Sequence, residues 1–200
     1  MFAQVLRVVG CLTSYAIVWA FVGLCQGLAV SGAMAQETPV WSDIQCSQSK
    51  LVAPAGLRCR VTQAYSGSNS LISGAGPGGV DKQWAAYGAL DDAKIYVFVK
   101  EKVSPNGGIV LNLTLQQNIM GLSPYAKDAR NFGALGNMNG GDYQNFDSAT
   151  GEHCIAIRKV GSSRAVGYRW VLLASKCVAP GKSLSDADAG LFMTSTNFRS

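Results

Sequence analysis

The chain carries a single histidine, His153, and its six cysteines contain no C-x-x-C pair. Those two shortages leave no ligand set at the spacings of a tetrahedral zinc site, so no metal is expected. Catalytic signatures are sparse as well. There is no G-x-S-x-G nucleophile elbow, and no S-D-N or K-T-G element accompanies the S-x-x-K match at Ser47-Gln48-Ser49-Lys50. Charge is scarce at 14% of residues, and the formal net charge of +5 is too mild for a nucleic-acid binder. Acid is missing altogether between Glu152 and Asp186, a stretch that holds Arg158, Lys159, Arg164, Arg169, Lys176 and Lys182. Internal repeats are also absent.

What is present begins with a leader. Arg7 precedes an apolar run from 8 to 30, and Ala33-Met34-Ala35 follows it as an A-x-A cleavage pattern. The run is long enough to span a bilayer. Thr13, Ser14 and Gln26 interrupt it, so a secretory signal peptide over 1–35, cleaved near Ala35, fits better than a retained anchor. The mature chain, 36–200, would then be periplasmic or secreted, with no integral membrane span. It is long enough for one domain with a sizeable core.

Cleavage removes Cys11 and Cys25 and leaves Cys46, Cys59, Cys154 and Cys177. An even number in an oxidising compartment implies two disulfides, with three possible connectivities. A regular hairpin that sets Val160 opposite Val166 would place Cys154 opposite Leu172 and Cys177 about 17 Å further along. That geometry argues against a Cys154–Cys177 bridge unless the hairpin loop is larger or bulged.

The expected fold class is α+β: a mainly antiparallel sheet of about five or six strands with two or three short helices on one face. Residues 57–64 read as a strand and 83–90 as one or two helical turns. Residues 95–103 and 109–115 both alternate and read as a hairpin closed by a three-residue loop at 106–108. Val103 would face Leu111, Lys94, Lys100 and Lys102 would face solvent, and Glu101 would sit unexplained on the apolar face. Ser123-Pro124 reads as the start of a short helix. Strands follow at 143–147, 153–160 and 166–176, then a C-terminal helix capped by Ser185 and docked through Leu191 and Phe192.

Few residues carry chemistry. Gly74-Ala75-Gly76-Pro77-Gly78-Gly79 matches G-x-G-x-x-G, but it closes a Gly/Ser-rich stretch at 66–79 and contains proline, so it reads as a surface loop and no cofactor is expected. Asp147 and His153 would face each other across a five-residue hairpin loop, placing an imidazole beside a carboxylate as in half of a nucleophilic triad. Trp41, Trp84 and Trp170 could stack on sugars, although core packing is the ordinary use of tryptophan.

Trp41-x4-Cys46 followed by Cys59-Arg60-Val61-Thr62-Gln63 resembles the start of the invasion-associated locus B family of exported bacterial proteins. The resemblance covers only the N-terminal part of the mature chain, and the later cysteines and loops depart from the family's pattern. The host-cell role that the resemblance implies is therefore not carried over.

These features lead to an exported, non-catalytic envelope-associated binding protein. Its basic C-terminal hairpin, with Arg158, Lys159, Arg164 and Arg169, would contact an anionic envelope polymer such as lipopolysaccharide or teichoic acid, or another exported protein. Two alternatives stand beside it. One is a small serine-type hydrolase using Asp147 and His153; the other is an inhibitor of an exported enzyme built on the disulfide-tethered loop at 47–58.

Overall fold

Apolar side chains on both sides of one strand set the architecture. In Ala93–Lys102, residues Ile95, Val97 and Val99 point one way and Tyr96 and Phe98 the other, and all five are buried. A strand covered on both faces belongs inside a sheet with layers above and below it. The structure, a computed structural model, describes residues 40–65, 80–105 and 107–200. The expected leader at 1–35, the Gly/Ser stretch at 66–79 with its G-x-G-x-x-G pattern, and Asn106 lie outside the described residues.

In chain order the elements are β1 (Ser42–Ile44), a 3-10 turn (Cys46–Gln48), β2 (Leu51–Val52), β3 (Arg58–Tyr65), β4 (Val80–Leu90), β5 (Ala93–Lys102), α1 (Leu115–Leu122), β6 (Gly136–Met138), β7 (Gly141–Asp147), β8 (His153–Val160), β9 (Trp170–Val178), α2 (Asp186–Ser195) and β10 (Asn197–Phe198). Eight strands form one antiparallel sheet in the order β1-β3-β4-β5-β9-β8-β7-β6, and β2 pairs with β10. The sheet exceeds the expected five or six strands because β4 and the short edge strands β1 and β6 join it.

Two α-helices occur among the described residues, and they occupy opposite faces rather than one. Leu115 and Ile119 of α1 pack with Tyr96, Phe98, Phe146, Val171 and Leu173. Ala189, Phe192 and Met193 of α2 pack with Trp84, Val97, Ile157, Leu172 and Phe198 on the other side. Both helices begin with reciprocal caps, Thr114 with Gln117 and Ser185 with Asp188. Phe192 docks α2 as expected, but Leu191 is exposed on its outer side.

The stretch expected to be helical at 83–90 is instead the second half of β4. Asp91 and Asp92 take left-handed backbone conformations (φ 49° and 62°) and close a two-residue turn that pairs Leu90 with Ala93. Aspartate tolerates that conformation and serves where Asn-Gly is the more familiar signal. β5 therefore pairs with β4 and β9, not with 109–115. The latter segment is irregular up to Thr114, and Ser123 ends α1 instead of opening a helix.

Lys100 and Lys102 face inward, contrary to the solvent-facing expectation. Both are buried, because the α1 face of the sheet is covered as fully as the other. Asp81 reaches both ammonium groups, at 2.9 Å and 3.2 Å. Glu101, on the opposite face, is met by Lys50 Nζ at 2.7 Å.

The bridges are Cys46–Cys59 and Cys154–Cys177. The second corrects the argument from a regular hairpin. Val160 pairs with Val171, not Val166, which brings Cys154 directly opposite Cys177 with Cα atoms 4.0 Å apart. The intervening loop folds back on itself through the Ser163–Tyr168 pairing and an Arg164 N–H to Gly167 carbonyl bond. Gly167 (φ 72°) also lies so close to Ile109 that a Cβ there would meet its carbonyl oxygen at 2.3 Å.

Candidate functional site

Asp147 and His153 are paired residues at the end of the β7–β8 hairpin. His153 Nδ1 and Asp147 Oδ1 are 2.7 Å apart, and Asn131 Nδ2 donates to Asp147 Oδ2 at 2.9 Å. The Asn131 bond holds the Asp147 carboxyl below its ordinary pKa; partial burial opposes this and the His153 bond adds to it. The His153 side chain is about half exposed and that of Asp147 is partly buried. Among the described residues no hydroxyl bonds to the imidazole. The nearby Ser148 and Thr150 hydroxyls contact Glu152 instead. Glu152 also accepts Lys94 from β5 at 2.7 Å. The arrangement pins a turn and orients an imidazole, but it presents no nucleophile to it.

The four hairpin cations do not form one surface. Alternation sends Arg158 to the α1 face and Lys159 to the α2 face. Arg158 holds Asp142 through two nitrogens, at 2.6 Å and 3.0 Å, and reaches the Leu113 carbonyl. Lys159 donates to the Met193 and Thr196 carbonyls at the end of α2, and burial lowers its pKa. Arg164 donates to the Ser104, Pro105 and Gly107 carbonyls, tying its loop to the segment after β5. Arg169 Nε is buried without an acceptor among the described residues.

The S-x-x-K lysine, Lys50, is engaged by Glu101 and lies over the Phe198 ring. The loop at 47–58 is held by the Cys46–Cys59 bridge and by β2–β10 pairing, so it is built into the fold and not projected from it. Trp84 and Trp170 are core residues packed around Phe198. Among the described residues no three His, Cys, Asp or Glu side chains converge as metal ligands.

A different constellation sits at the C-terminal end of α1, and no local sequence pattern announced it. Arg60 of β3 points to the α1 face. Its guanidinium carbon lies 4.6 Å from the ring centre of Trp41, which precedes β1, and 4.9 Å from that of Tyr87 on β4. Among the described residues no carboxylate forms an ion pair with it, and its Nε is buried without an acceptor. Burial raises the Tyr96 hydroxyl pKa, and neighbouring Arg60 pulls it partly back. Arg60, Tyr87 and Tyr96 open onto a pocket of about 420 Å³ completed by Met120, Leu122, Pro124 and Lys127. Its Ser123 hydroxyl is tied to that of Ser175 at 2.7 Å.

Chemically, the pocket sets a cation beside aromatic rings, with the Tyr96 hydroxyl bonded to the guanidinium and no carboxylate among the described residues paired with it. No known protein family, curated protein or solved structure matches the chain.

Proposed function

We propose that the chain is an exported, non-catalytic binding protein whose ligand is an anionic polymer of the cell envelope. Two disulfides fit an oxidising compartment, and no helix of the described residues is long and apolar enough to cross a membrane. The observation that carries the reading is Arg60: an arginine held against two aromatic rings at the wall of a pocket, with no carboxylate partner among the described residues. The hairpin cations support it less. Arg158, Lys159 and Arg164 already donate to groups of the chain itself.

The test uses the oxidised mature chain and a panel of lipopolysaccharide, teichoic acid and polyuronate, with binding followed as salt is raised. The expected result is binding to at least one polymer that weakens with ionic strength. Failure to bind all three at low salt, or binding indifferent to salt, overturns the proposal.

A further inference from the structure

We infer that the Arg60 pocket receives the carboxylate of a uronic acid unit within an anionic polysaccharide. The inference rests on the binding reading above and names the part of the polymer that is recognised.

Three features lead to it. The first is a charge without a counter-charge. Aromatic rings attract a cation but do not neutralise it, so Trp41, Tyr87 and the Tyr96 hydroxyl hold the Arg60 guanidinium in place while no carboxylate among the described residues pairs with it. A carboxylate set against the part of the guanidinium that lines the pocket would supply that charge-assisted partner.

The second is the number of charges. Arg60 lies in the wall of the pocket, and Lys127 is exposed at its rim. The wall itself therefore holds one cation, which suits a group of one negative charge, while Lys127 acts from solvent. A phosphomonoester approaching two negative charges would call for more inner donors than this wall provides.

The third is the remaining surface. Tyr87, Tyr96, Met120, Leu122 and Pro124 offer ring faces and apolar carbon beside the cation. A pyranose presents one such C–H face while its hydroxyls stay at the edges, so an acidic sugar matches both halves of the site. A volume of about 420 Å³ lies in the range of small-molecule sites, which suits a sugar unit and not a folded partner.

The experiment titrates the oxidised mature chain with trigalacturonate, with neutral galactotriose and with inorganic phosphate. Heat and the ring resonances of Trp41 and Tyr87 are followed. Trigalacturonate is expected to bind and shift both rings; galactotriose and phosphate are not. Arg60→Gln should weaken binding about tenfold or more, the loss expected for one charge-assisted contact. Lys182→Gln, at an exposed position outside the pocket, should leave it unchanged. Lys127→Glu tests the same site from the solvent side if Arg60→Gln fails to fold, and should weaken binding severalfold.

Wild-type affinity in Arg60→Gln, or in Lys127→Glu, overturns the site. Phosphate that displaces trigalacturonate at equal concentration overturns the ligand class. If an anionic polymer binds while trigalacturonate does not, this inference fails and the broader proposal stands. If no anionic polymer binds, both fall.

Discussion

Asp81 on β4 is the cross-strand partner of Lys102 on β5, and its carboxylate also reaches Lys100 one pleat away. All three are buried within the α1 face of the sheet. Charges in such surroundings persist only when a partner offsets their lost hydration. Replacing Asp81 with Asn removes the carboxylate that both ammonium groups share. The expected loss is about 3–5 kcal/mol in urea unfolding, the range for breaking one side of a buried ion pair. A change below about 1 kcal/mol, the value of a surface pair, would contradict this account.

The two bridges act on different parts of the sheet. Cys154–Cys177 joins residues 23 apart and locks the central β8–β9 hairpin, whereas Cys46–Cys59 joins residues 13 apart near the β1 edge. Replacing both Cys154 and Cys177 with Ala is expected to cost about 3 kcal/mol, mainly through the freed unfolded chain. The Cys46/Cys59 pair should cost somewhat less, because its loop is shorter. Thermal melts of each double variant beside wild type, all without reductant, check the order.

Acid should destabilise the fold through identifiable carboxylates. Asn131 and His153 hold Asp147 below its ordinary pKa, and Ser185 does the same for Asp188. Burial tends to raise Glu152, but bonds from Lys94 and Thr150 outweigh it and leave its pKa lowered. A folded pKa below the unfolded value means that the stabilisation is fully present above about pH 4–5 and is lost as pH falls through the folded values. Stability measured from pH 6 to pH 2 should fall along this limb. The Asp147→Asn, Glu152→Gln double variant should show a shallower decline.

His153 tests the catalytic alternative directly. With no hydroxyl bonded to the imidazole among the described residues, serine-reactive fluorophosphonate probes should label neither wild type nor His153→Ala. The substitution should cost about 1 kcal/mol or less, because the pair with Asp147 is solvent-exposed. Labelling that vanishes in the variant would restore the hydrolase reading.

Part of this molecule was legible in the chain alone. The β7–β8 hairpin follows from alternation on either side of a short loop, and that register alone sets Asp147 beside His153. The Ser185 cap of α2 is a local signal and was equally visible. β4 was not, because Ala85, Ala86, Gly88 and Ala89 lack the branched and aromatic side chains that mark strands. The β8–β9 register was hidden by a loop that makes its own small pairing. The Arg60 pocket was invisible for another reason: Trp41, Arg60, Tyr87 and the end of α1 meet only after the strands have assembled.

Phe198, in β10, closes the α2 face by packing against Trp84 and Trp170 while its strand pairs with Leu51 and Val52, which lie far earlier in the sequence. β5 likewise waits for β9 as its second neighbour. Contacts between such distant segments form slowly, because loop closure precedes their reward. A chain made from its amino end keeps the flank around Trp84 uncovered until Phe198 has been added, so the α2 face is the last part of the core to close.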